Sequence, residues 1–261
     1  MLLTVKRLGC FLPLSLSLIG TVSPADAACA RPYVVLGSPG GANLYAEPGG
    51  VGGFLPELVA LVGRRSGCSL RVELLPPERL IALAEVAEAD ILGNVSRGRT
   101  IPTDRDFVAA AQLPVEFVVD RRRGIQSPQA VLGASGALVG RMRRGAEPTE
   151  VRAFFDALAP ENIDQSEDMD TLARKLAAGR IVGFFGTPLY YRHSTESAGL
   201  GDNARGWPFK AQPYRIGWSM LHARVAPADR AVSRKTLEAL VRSGEVDALL
   251  ARHAGKGQPA P

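Results

Sequence analysis

Histidine and cysteine are scarce in this sequence, three of each in 261 residues, and the scarcity removes several chemistries at once. His193, His222 and His253 are scattered with no metal-ligand spacing, so no metal site is expected. No Gly-Lys-Ser/Thr occurs, and Gly50-x-Gly52-Gly53 lacks the later glycine of a dinucleotide fingerprint. The glycines between Ser38 and Gly53 therefore read mainly as turns, and no cofactor is expected. Gly133-Ala-Ser135-Gly136 is not a nucleophile elbow. No basic stripe interleaved with aromatics and no nucleic-acid module is visible, which argues against a nucleic-acid partner. No internal repeat is detectable, and the apolar run Leu8 to Ile19 falls short of the ~18 residues of a transmembrane helix.

What is present fits an exported globular protein. With 46% apolar and 22% charged residues the chain is long enough to bury a proper core, as one large domain or two lobes. Lys6 and Arg7, the apolar run after them, and Ala25-Asp26-Ala27 read as a cleavable secretory signal over residues 1–27, with Ala28 first in the mature chain and a periplasmic destination. Cys10 lies inside that signal with no apolar run before it, which does not fit a lipid-attachment cysteine. The formal charge of +5 becomes +4 without the signal, an arginine excess suited to an anionic ligand or an anionic membrane surface. In an oxidising compartment Cys29 and Cys68 form an even pair for which a disulfide is the default; a catalytic cysteine is less expected, because no histidine lies nearby in sequence.

The organising stretch runs from Ala89 to Asp106. Ile91 and Leu92 read as a buried strand, and the loop after Gly93 carries Asn94, Ser96, Arg97, Arg99, Thr100, Thr103 and Arg105. Ligands of open α/β sheets sit beyond the carboxyl ends of strands, and arginine offers a planar fork to a carboxylate. A solvated basic loop is the plain alternative. Before this stretch, strands at 33–36 and 70–74 and helices at 54–65 and 78–86 complete a β-α-β-α-β series of parallel strands. After it, strands are expected at 115–119, 137–140 and 181–185. Val151, Phe154, Phe155 and Leu158 mark an amphipathic helix, and Phe154 and Phe155 are read as core. Tyr190 and Tyr191 follow a strand end and stay ambiguous. A strand at 214–221 and two helices close the chain.

This order of signals resembles the family 3 extracellular solute-binding proteins of amino-acid ABC transporters. Gly53-Phe-Leu-Pro-Glu-Leu58 is similar to the family's Gly-Phe-Asp-x-Asp-Leu. Asp90-Ile-Leu-Gly-Asn-Val-Ser96 with Thr103-Asp-Arg105 is similar to its Asp-x-Ile-x-x-Gly-x-Ser and Thr-x-x-Arg region, and Trp218-Ser-Met with Gly244-Glu-Val-Asp247 to its closing elements. The resemblance implies an α/β, two-lobed periplasmic binding protein type II fold with a ligand cleft between the lobes. It places lobe 1 at residues 28–119 and 213–261, lobe 2 at 120–212, and crossings near Val118 to Arg122 and Lys210 to Arg215. It also implies a monomer that binds a small-molecule ligand and serves an ABC permease or a sensor ectodomain.

Carried over residue by residue, the ligand set is Asn94 and Ser96, Arg105 for the carboxylate with Arg99 as rival, Tyr45, Thr187, and Arg141 from the loop after Val139. Thr187 or Gly186 stands where amino-acid binders carry an acid for the ligand ammonium. A buried ammonium without a partner carries a heavy desolvation cost, so an anion lacking the ammonium fits better. Two alternatives stay open. One is a dehydratase-like periplasmic enzyme on the same scaffold, for which Glu47 and Glu78 are the carboxylates to suspect; the other is a ligand-free scaffold for a partner protein. The binding reading, without catalysis, is preferred.

Overall fold

The computed structural model describes residues 29–96, 105–132, 134, 136–143 and 147–255. The first series comprises β1 (Tyr33–Gly37), the hairpin β2 (Tyr45–Glu47) and β3 (Gly50–Gly52), α1 (Phe54–Ser66), β4 (Leu70–Leu74), α2 (Pro77–Glu85), β5 (Ile91–Ser96) and β6 (Arg105–Leu113). In α1, Phe54, Leu55, Leu58 and Val62 recur at helical spacing and are fully buried. Gly67, at φ 72, ends the helix in the left-handed conformation, its N–H donating to Gly63 O. A Cys29–Cys68 disulfide joins the segment before β1 to the residue just beyond that cap.

The middle of the chain contains β7 (Glu116–Asp120), α3 (Gln129–Leu132), β8 (Val139–Met142), α4 (Thr149–Asp156), β9 (Ile163–Ser166), α5 (Met169–Ala177), β10 (Gly183–Gly186), α6 (Pro188–Ser197) and β11 (Ala204–Pro208). The chain then returns through β12 (Tyr214–Leu221), α7 (Pro227–Arg242) and α8 (Glu245–Ala254). The strands form two five-stranded sheets, ordered β4-β1-β5-β12-β6 and β11-β7-β10-β8-β9. β12 runs antiparallel to both β5 and β6, so the returning strand is inserted into the first sheet.

Two expectations are corrected here. Residues 105–113 are a strand, whereas the sequence reads as a loop at Arg105; the three alanines at 109–111 have weak strand propensity, and pairing with β12 along the full length supplies the order. Likewise β7 belongs to the second sheet, so the first crossing lies between Leu113 and Glu116, ahead of the expected 118–122. Proline explains the position. Leu113 pairs with Tyr214 at the last rung of the first sheet, and Pro114 and Pro213 adjoin that rung, where a residue without an N–H cannot extend a ladder. The chain returns to the first sheet between Pro208 and Tyr214.

The first lobe's core gathers Phe54, Leu58, Ile91, Ile216, Trp218 and Leu237. The second sheet is covered on both faces. Phe185 packs with Phe117, Phe154 and Phe155, while Phe184 packs with Leu172, Leu176 and Tyr191, as side-chain alternation along β10 requires. One residue breaks the division by lobe: Leu189, from α6 of the second lobe, is fully buried within the first lobe's core.

Candidate functional site

A cavity of about 230 Å³ lies between the sheets, beyond the carboxyl ends of β5, β8 and β10. β5 contributes Ser96; β8 contributes Gly140, Arg141 and Met142; Gly186 and Thr187 lie at the end of β10. Val151 and Phe155 of α4, Met169 of α5, Phe185 and Tyr190 form its walls, and Tyr214 and Ile216 of β12 close it at the crossing. Glu147, just before α4, completes the lining.

The polar groups are few and defined. Arg141 donates to Glu147 through both sides of its fork, Nε to Oε1 at 3.0 Å and Nη2 to Oε2 at 2.6 Å. The guanidinium also lies 4.7 Å from the centre of the Phe155 ring. The hydrogen bond to Glu147 raises the guanidinium pKa above its ordinary value. Burial, reinforced by the Glu147 charge, pushes the Tyr214 phenol up to about 12, and burial raises that of Tyr190 as well. Both phenols are therefore neutral donors at physiological pH. Thr187, a lining residue, is buried before the first turn of α6, and its Oγ1 has no hydrogen-bond partner among the described residues. Such a site has an apolar body, one guanidinium, one carboxylate and a buried hydroxyl, a make-up suited to holding a small organic molecule.

The expected ligand residues divide. Ser96, Arg141 and Thr187 meet at the cavity. Arg105 does not: it pairs with Leu221, seven positions along β12 from Tyr214 and so about 23 Å away at ~3.3 Å per residue. There it is buried at the opposite end of the sheet, and its Nη1 donates to Ala89 O at 3.2 Å. Asn94 is also spent inside the first lobe. It sits at φ 50, and its Nδ2 donates to Asn43 Oδ1 at 2.6 Å, bracing the turn whose carbonyls receive the Phe54 and Leu55 amides. Tyr45 stacks on His193 of α6, with ring centres 5.3 Å apart and planes 9° from parallel. Glu47 and Glu78 are exposed and off the cavity. Arg97 and Arg99, Thr100 and Thr103, residues 144–146 and the expected signal at 1–27 lie outside the described residues.

Sequence reasoning missed Glu147, which follows Arg141 by six positions and precedes Pro148 at the start of α4. An acid six residues beyond a basic strand end was the available signal. Phe155 was read as core and is both core and cavity wall.

The two lobes touch at the start of α6, next to the cavity wall formed by Tyr190. Ala42 N donates to Leu189 O at 2.9 Å, and Gly40 passes close to the Tyr190 ring. Gly41, at φ 50, has no room for a side chain, since a Cβ there would lie 2.1 Å from Tyr190 O.

No family profile and no curated protein matches the chain, whereas many solved structures do. A histidine kinase sensor domain with similarity to periplasmic binding proteins superposes with a TM-score of 0.66 at 16% identity, over 85% of this chain and 96% of that one. The probable amino-acid ABC transporter extracellular-binding protein YtmK of Bacillus subtilis gives 0.69 at 14% identity, covering 87% and 99%. The arginine-, lysine-, histidine-binding protein ArtJ of Geobacillus stearothermophilus gives 0.64 at 15%, covering 87% and 97%. The fold is that of the two-lobed type II periplasmic binding proteins. Among the described residues most of the polar groups lining the cavity come from the second lobe. Among the described residues no helix is long and apolar enough to cross a membrane, and no group of three or more His, Cys, Asp and Glu could hold a metal.

Proposed function

We propose that this chain is an exported binding protein that captures a small carboxylate-bearing solute in the interlobe cavity, for delivery to an ABC importer or as the ligand-reading part of a sensor. The observation that carries the reading is Arg141. It is the only cation lining the cavity among the described residues, held against Phe155 at the end of an interior strand, with Thr187 in the same lining. A guanidinium there grips a planar carboxylate through two parallel hydrogen bonds, and the apolar walls receive the rest of the solute. Arg141 thus takes the role that the sequence resemblance gives to Arg105.

The test begins with mass spectrometry of small molecules released from the purified chain by denaturation, followed by thermal unfolding with the compounds found. At about 100 times its dissociation constant a ligand adds roughly 2.7 kcal/mol by mass action, a melting rise of about 5 to 11 °C for a chain of this size. Arg141→Ala should remove most of that rise. An unchanged rise in Arg141→Ala would take the arginine out of the binding site.

A further inference from the structure

Arg141 is already occupied. Glu147 fills two positions of its fork, with side-chain exposures of 25% for the arginine and 15% for the glutamate, so solvent screens the pair only in part. We infer that Glu147 is an internal competitor for the cavity: its carboxylate takes the place of a solute's, and an incoming carboxylate binds by exchanging with it. The inference rests on the proposed role of Arg141 and adds what sets the affinity and selectivity of that site.

Of the two partners, the arginine is the fixed one. β8 is an interior strand, paired with β9 on one side and β10 on the other; Arg141 stands opposite Gln165, and its guanidinium is stacked on Phe155. Glu147 instead hangs from the connection between β8 and α4, and its hydrogen bonds among the described residues all go to Arg141. It also has somewhere to go. A second recess of about 140 Å³ adjoins the cavity, lined by Arg141, Met142, Arg143, Glu147 and Gln165. The side chain of its Arg143 pairs, among the described residues, with Glu167 at 2.7 Å, in an ion pair exposed on both sides. Exposed pairs of that kind are weak and exchange readily. Glu147 therefore borders two recesses, each holding an arginine, and can pass from the inner guanidinium to the outer one when a solute arrives.

Selectivity follows from the geometry. A solute must match the two-point hold that Glu147 already has, which favours planar carboxylates over halides and neutral isosteres. The effect of deleting Glu147 then has a defined sign. Without the internal carboxylate, affinity for an external one rises.

The experiment titrates a panel of acetate, benzoate, phenylacetate and succinate, with benzamide as the neutral control, into wild type, Glu147→Gln, Glu147→Ala and Arg141→Ala by calorimetry. Unfolding profiles verify that each variant is folded. At least one carboxylate should bind Glu147→Gln and Glu147→Ala about tenfold or more tighter than wild type, and binding should vanish in Arg141→Ala. Equal affinity in wild type and both Glu147 variants, with loss in Arg141→Ala, overturns the competitor role and leaves the arginine reading intact. Weaker binding in the Glu147 variants also overturns it, and shows that Glu147 positions Arg141 or receives a cationic group of the solute. No binding of any carboxylate to any variant, or binding that survives Arg141→Ala, overturns both.

Discussion

The two lobes share an architecture and divide the work unequally. The first lobe surrounds its sheet with α1, α7 and α8, is tied by a disulfide, and gives the cavity only Ser96, Tyr214 and Ile216. Among the described residues every other lining residue comes from the second lobe, including the two charged ones, Arg141 and Glu147. Yet Asn94 and Arg105, which catch the eye in the sequence, belong to the first lobe's sheet. Residue chemistry alone does not separate a ligand contact from a structural brace: Asn94 holds a turn and Arg105 holds a carbonyl at the far end of the sheet.

The most severe way to break this division is at Leu189, a second-lobe residue sealed in the first lobe's core. Leu189→Ala should cost about 2 to 5 kcal/mol by lost burial and the cavity left behind, lowering the melting temperature by about 4 to 20 °C. Calorimetry reads the effect, and a change below about 1 kcal/mol would mean that the lobes do not share that core. A smaller effect sharpens the contrast between the two arginines. Arg105→Ala removes a buried brace and should destabilise by about 1 to 3 kcal/mol, while leaving intact the melting rise given by a carboxylate ligand. Loss of that rise with Arg105→Ala would return the site to the first lobe.

The smallest effect concerns Tyr214, where the lobes meet. Its phenol pKa is raised to about 12 in the folded chain from an ordinary 10, so between those values the unfolded chain binds fewer protons than the folded one. The corresponding stability is fully present below pH 10 and is lost as pH rises toward 12. Tyr214→Phe should flatten the alkaline limb of a stability-against-pH curve; an unaltered limb would place the phenol in solvent.

Much of the fold was legible because it rests on local signals. The α1 stripe, Pro56 in its first turn and Gly67 after it bounded that helix to within a residue, and the apolar run at 214–221 marked β12. The strands at 163–166 and 204–208 were invisible, because Ile163-Asp-Gln-Ser and Ala204-Arg-Gly-Trp-Pro carry no alternation and form only by pairing with strands already in place. The site was legible in part for the same reason. Ser96 and Thr187 sit at strand ends and Arg141 one residue before the end of β8, positions that periodicity locates. Glu147 gains its meaning from its contact with Arg141, and a separation of six residues across a connection carries no periodicity.

Gly41 sets how closely the first lobe's turn can lie against α6. There is less room than a methyl group requires between that α-carbon and the Tyr190 carbonyl, so the spacing of the two segments at this point is one that only hydrogen permits.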